Sequence, residues 1–201
     1  MLDGAARRLI DPPLDALGRG LAARGVGADA VTWAGLALGL LAALTIALGA
    51  PGWALVPLLA SRLLDGLDGA VARATRRTDL GGFLDIWCDF VFYGAVPLAF
   101  AVLDPANATA AAFLLFAFYV NGTSFLGLAV MAAKRGVQST KQGLKSLHYS
   151  AGLLEGTETI LFFVLLCLLP QFFAPLAWGF GALCLVTAAA RVLNARHTIG
   201  S

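Results

Sequence analysis

Two aspartate pairs, Asp65 with Asp68 and Asp85 with Asp89, are the residues of this sequence best suited to chemistry. Helical residues three or four apart share a face, so each pair projects its carboxylates to one side. All four lie in D-G-L-D-G-A-V-A-R-A-T-R-R-T-D-L-G-G-F-L-D-I-W-C-D, residues 65–89, between two long apolar runs. Four carboxylates brought together repel one another unless a cation sits among them. Hard divalent ions such as Mg²⁺ take oxygen ligands and bridge carboxylates to substrate phosphates. Gly66 and Gly69, interleaved with the acids, would let a ligand approach the backbone closely, and Ala72 is small. Arg73, one turn beyond Gly69, is placed to reach a phosphate. The stretch therefore implies a carboxylate-held metal acting on a phosphate ester.

The competing reading leaves the acids at the water interface, paired with Arg62, Arg73, Arg76 and Arg77. Against it stand the apolar neighbours of Asp85 and Asp89, namely Phe83, Leu84, Ile86 and Trp87. A carboxylate at bilayer depth costs about 2.5–3.5 kcal/mol, so four together cost on the order of 10 kcal/mol if isolated. That is too much to carry without a function.

The elements that must hold these residues are membrane helices. Of 201 residues, 59% are hydrophobic and 13% charged, about half the charge of a soluble domain. The mean hydropathy is +0.82. An all-α polytopic membrane protein is expected, a single membrane domain over 1–201. Residues 1–24 mix leucines with Arg7, Arg8, Arg19 and Arg24 and read as an amphipathic helix on the membrane surface, broken at Pro12–Pro13. The charges there, with Asp3 and Asp11, exclude a cleavable signal peptide.

Six spans follow, at about 31–50, 53–73, 82–103, 108–133, 151–169 and 175–193. Asp29 is the expected N-cap of the first, and Gly35 with Gly39 would allow its close packing on a neighbour. Cys88, Cys167 and Cys184 have no metal-like spacing and read as small buried hydrophobes. With six spans, all 14 Lys and Arg fall on the side that holds both termini, the 74–80 linker and the 134–150 loop. By the positive-inside rule that side, and the aspartate cluster with it, is cytoplasmic.

Asp65-x-x-Asp68-Gly69-x-x-Ala72-Arg73, followed by Gly81-x-x-x-Asp85-x-x-x-Asp89, resembles the signature of the CDP-alcohol phosphotransferases. The family pattern places eight residues between its Arg and second Gly, where this chain has seven, 74–80. The difference falls in an interhelical linker, where length changes are absorbed. The six-span plan and the N-terminal surface helix also resemble the family, small bacterial members above all.

The resemblance implies transfer of a phosphoryl-alcohol group from a CDP-linked lipid to an acceptor hydroxyl, with release of CMP. It implies Mg²⁺ or Mn²⁺, two ions, held by Asp65, Asp68, Asp85 and Asp89, with Asp89 also the general base. Asp65, Gly69, Ala72, Arg73 and Gly81 would form the CDP site. CDP-diacylglycerol is the expected donor and glycerol 3-phosphate the expected acceptor, with serine or an inositol compound as alternatives. Lys134, Arg135, Lys141, Lys145 and Glu155 are candidates for the acceptor pocket. The bacterial inner membrane, a lipid environment and a homodimer are implied, and no nucleic acid. A cation transporter using the aspartates is the alternative from another class.

Overall fold

A computed structural model describes residues 3–134 and 156–199. The chain is all-helical, with no strand among these residues. Helix α1 spans Asp3–Ala23, α2 Ala28–Ala47, α3 Pro51–Ala74, α4 Asp79–Leu103 and α5 Ala108–Lys134. After the residues not described come α6, Gly156–Leu168, and α7, Phe173–Ile199. Short 3₁₀ turns at Pro105–Asn107 and Pro170–Phe172 lead into α5 and α7.

Local chemistry sets the ends that matter for the site. Val26 N–H bonds back to Leu21 O and Ala50 N–H to Thr45 O, closing α1 and α2 around Gly25 and Gly49. Both glycines have positive φ, +79° and +90°, the left-handed conformation that closes a helix. Pro51 opens α3 at a position that needs no N–H donor. The Thr78 hydroxyl caps α4 by accepting from Gly81 N–H at 3.0 Å, so α4 begins at Asp79 rather than near 82. The turn between α3 and α4 is thus shorter than the expected linker, and the two aspartate pairs are drawn close together.

Two expectations at the N-terminal end are corrected. Helix α1 runs through Pro12 and Pro13 without a break, since Leu14 just beyond them is buried in a cluster with α2 and α3. Gly27 in extended conformation precedes α2 and no side chain caps it; Asp29 lies inside the first turn instead.

Among the described residues, four segments are long and apolar enough to cross a membrane: Ala28–Ala47, Asp79–Leu103, Pro105–Lys134 and Pro170–Ala195. Helix α3 has 24 residues, but Arg62, Asp65, Asp68 and Arg73 crowd its C-terminal half. The protein is an all-α membrane protein. Helix α2 packs along α3 and α4, α1 lies on α3, α5 pairs with α7 and α4, and α6 reaches α3.

Two buried clusters hold this arrangement. The larger joins Ile46, Leu58, Phe92, Phe100, Leu114, Phe163 and Phe173, drawn from α2 through α7. The smaller joins Leu14, Val31, Leu67, Ala70 and Val71 beneath α1. The acidic stretch supplies Leu67, Ala70 and Val71 to the smaller cluster. Cys88, Cys167 and Cys184 are buried free thiols, as expected of small hydrophobes.

Candidate active site

The site starts from the close contact of α2 with α3, which small residues permit. A Cβ on Gly35 would meet Leu64 Cβ at 3.4 Å, and one on Gly39 would meet Phe92 Cδ2 at 2.8 Å and Ser61 Oγ at 3.0 Å. The pair noticed in the sequence is thus a true close approach. Ser61 is fully buried and donates its hydroxyl to Gly35 O at 2.7 Å.

Beside Ser61, the Arg62 guanidinium turns into the α3–α4 junction. Its Nη1 donates to Asp89 Oδ1 at 2.6 Å and lies 3.6 Å from Asp65 Oδ1. Its Nη2 donates to Ser61 Oγ at 3.1 Å, and Cζ stands 4.1 Å from the centre of the Phe92 ring. The Arg62 side chain is 8% exposed. One turn along α3, Asp68 is buried and accepts from the Thr32 hydroxyl of α2 at 2.6 Å. Asp65 of α3 and Asp89 of α4 thus meet at one guanidinium, while Asp68 is held by Thr32 of α2.

Four carboxylates are the hard oxygen donors that Mg²⁺ and Mn²⁺ take, and a guanidinium already drawn among them shows that the cluster holds positive charge. In donor chemistry the residues fit a divalent cation. As they stand, no three acidic, histidine or cysteine side chains among the described residues are grouped to hold a metal. Between Asp65 and Asp89 it is Arg62 Nη1 that takes the contact.

The last residue of the motif's first half, Arg73, faces α1. Arg73 donates through Nε and Nη2 to Asp15 Oδ1, at 3.0 and 2.7 Å. A cavity of about 160 Å³ opens there, lined by Asp15, Arg19, Ala70, Arg73 and Ala74. A larger apolar groove of about 490 Å³, between α6 and α7, contains no residue of the motif, whereas the smaller cavity includes Arg73. Gly69 leaves room beside Arg73, whose Nη1 would stand 3.4 Å from a Cβ there. Ala72 is half-buried on the same turn, and Gly81 sits in the first turn of α4 near Asp29 Oδ1.

The expectation for Gly66 is corrected. A Cβ there would meet Leu14 Cδ1 at 2.8 Å, so this glycine admits α1 rather than a ligand. Lys134 is exposed at the end of α5. The other acceptor candidates, Arg135, Lys141, Lys145 and Glu155, lie outside the described residues. Sequence reasoning passed over Thr32, Ser61, Phe92 and Asp15 and took Arg62 only as a surface partner. A basic residue three positions before Asp65 and inside a span was the one available signal.

A membrane-embedded helical bundle with charged groups packed into a helix junction belongs to the class of integral membrane proteins that handle polar groups at the lipid boundary. Residues 26–193 match the CDP-alcohol phosphatidyltransferase family, and the chain belongs to it. It is also 48% identical over 202 residues to the inner membrane protein YnjF of Escherichia coli, covering 100% of this chain and 98% of that one. The chain is thus a transferase that moves a phosphatidyl group from a CDP-alcohol to an acceptor alcohol in a lipid environment, releasing CMP. The family is generally dependent on divalent metal. The transporter alternative gives way to this membership.

Proposed function

We propose that the donor is CDP-diacylglycerol, that the acceptor is glycerol 3-phosphate, and that the reaction serves phospholipid synthesis. The observation that supports this site is the meeting of Asp65 from α3 and Asp89 from α4 on one guanidinium, with Asp68 buried one turn beyond Asp65. With Asp85, these are the acids that match the family motif, seven residues rather than eight separating its two halves.

In this reading Asp65, Asp68, Asp85 and Asp89 hold two divalent ions, Mg²⁺ or Mn²⁺. Bound there, the ions supply charge neutralisation for the pyrophosphate and for departing CMP. Asp65, Gly69, Ala72, Arg73 and Gly81 receive the CDP moiety. Arg73 exchanges Asp15 for a phosphate oxygen, a carboxylate partner for another anion. Asp89 takes the proton of the acceptor hydroxyl as its oxygen bonds to the diacylglycerol-bearing phosphorus. The bond from that phosphorus to the bridging pyrophosphate oxygen breaks, and CMP leaves with the electron pair. Lys134, with Arg135, Lys141, Lys145 and Glu155, supplies the acceptor pocket.

Positive charge on one side puts the site and both termini in the cytoplasm, with six spans in a bacterial inner membrane. The resemblance to inner membrane protein YnjF supports that location. The working unit is a homodimer.

The test is CMP release from CDP-diacylglycerol by purified protein in mixed micelles with Mg²⁺ or Mn²⁺, with glycerol 3-phosphate, serine and inositol 1-phosphate offered in turn. Release stimulated by glycerol 3-phosphate, and lost in Asp89→Asn while CDP still stabilises that variant, is the expected result. Stimulation by another acceptor replaces glycerol 3-phosphate, and wild-type turnover in Asp89→Asn removes the base role.

A further inference from the structure

Arg62 lies outside the motif, yet it is the group in closest contact with the motif's last aspartate. One nitrogen, Nη1, faces both Asp89 Oδ1 and Asp65 Oδ1, and so bridges the two helices. Phe92 and Ser61 seat the other side of the guanidinium, and Ser61 is itself fixed to Gly35 O. We propose that Arg62 is a positioning residue that engages Asp89 and Asp65 and competes with a divalent cation for them. This inference rests on the reading of those aspartates as metal ligands.

Three observations make the interaction competitive. First, the contact is direct, so Asp89 Oδ1 is engaged by the same atom that approaches Asp65. A divalent ion shared by these carboxylates and a guanidinium between them repel each other, and the mostly buried setting screens that repulsion poorly. Second, Arg62 Nε is buried and donates to nothing, so the protein seats this arginine incompletely. A side chain held mainly by two carboxylates and a ring face can leave when the carboxylates turn to another cation. Third, Nη1 reaches one acid from each helix, so the cation that a divalent ion would displace is the one that ties Asp65 of α3 to Asp89 of α4.

Through these two acids Arg62 ties α3 to α4. When metal enters, Asp89 is released from the guanidinium and becomes available to metal and acceptor, while Phe92 and Ser61 keep Arg62 nearby. Metal affinity is set by this exchange as well as by the four acids.

The test measures Mn²⁺ binding and thermal unfolding of full-length wild type, Arg62→Gln and Arg62→Lys, without donor or acceptor. Arg62→Gln should unfold at lower temperature in chelator but reach half-saturation at about tenfold lower Mn²⁺, the size of effect that neighbours of metal ligands exert. Arg62→Lys, which keeps the charge but loses the fork, should fall between and provides the comparison if Arg62→Gln does not fold. Half-saturation at unchanged or higher Mn²⁺ in these variants, with wild type binding Mn²⁺ normally, overturns the competition and leaves the active-site reading standing. Absence of Mn²⁺ binding by wild type even with CDP overturns the metal reading itself, and this inference with it.

Discussion

Arg62 and Arg73 stand eleven residues apart on α3, three turns along nearly the same face, and each is clasped by an aspartate from another helix. The resemblance ends there. Arg62 is 8% exposed, stacked on Phe92 and shared between two acids of the motif. Arg73 is 36% exposed and meets one carboxylate, Asp15, from the N-terminal helix. Removing one partner of a buried pair costs about 3–5 kcal/mol, whereas an exposed pair is worth about 0.2–1 kcal/mol. The same chemistry thus does two jobs. The deep pair joins α3 to α4, and the surface pair joins α3 to α1.

The comparison is broken most forcefully from beneath the deep pair. Gly39→Val puts methyl groups where even a Cβ would lie 2.8 Å from Phe92 and 3.0 Å from Ser61 Oγ. Both neighbours are fully buried and both touch Arg62, so they have little room to yield. The expected cost is about 3 kcal/mol, the upper end for overpacking, with activity falling as the ring beneath Arg62 moves. Denaturant unfolding in detergent reads it. A variant within about 0.5 kcal/mol of wild type, the ordinary scatter of surface changes, would show that the α2–α3 contact does not seat the deep pair.

These contacts also mark where the sequence could be read and where it could not. Gly35 and Gly39 were legible because small residues one turn apart have a direct packing consequence. The motif acids were legible because their spacing alone puts each pair on one face. Gly66 misled for an instructive reason: a glycine that admits a ligand and one that admits a leucine from another helix look alike until α1 is placed. Thr32 to Asp68, 36 residues apart, and Asp15 to Arg73, 58 apart, arise from helix docking and leave no local pattern. Arg62 lay in plain view, but its depth depends on Phe92, thirty positions later. The unbroken α1 was illegible likewise, because docking of Leu14 overrides a local rule about proline.

Between the two arginines on α3 lies Asp68, which is held by a neutral hydroxyl. Thr32→Val keeps the shape and deletes the donor at 2.6 Å. A hydrogen bond to a charged group is worth about 1.5–3 kcal/mol, and Asp68 is buried where it accepts this one. Stability should fall by about 1.5 kcal/mol. Thr32→Ser retains the hydroxyl and should recover most of that loss in the same unfolding measurement. If Ser and Val behave alike, packing of the threonine methyl, rather than the bond to Asp68, is what α2 contributes.

The surface pair should give the smallest change in stability and the clearest change in binding. Asp15→Asn removes the charge facing Arg73 while keeping an oxygen that can accept from it. Stability should move by less than about 1 kcal/mol, as for other exposed pairs. Arg73, no longer held by an anion, should take the donor phosphate more readily, lowering the KM for the CDP-linked donor with little change in kcat. Added salt should narrow the difference from wild type, because the screening length shrinks from about 10 Å at 0.1 M to about 3 Å at 1 M. The Arg62 pair, 8% exposed on the arginine side, should show no such salt dependence in its contribution to unfolding. A loss above about 3 kcal/mol in Asp15→Asn would give the surface pair the weight of a buried one. Arg73 would then be a tie between α1 and α3 like the one Arg62 makes between α3 and α4, and the two arginines would differ in depth but not in kind.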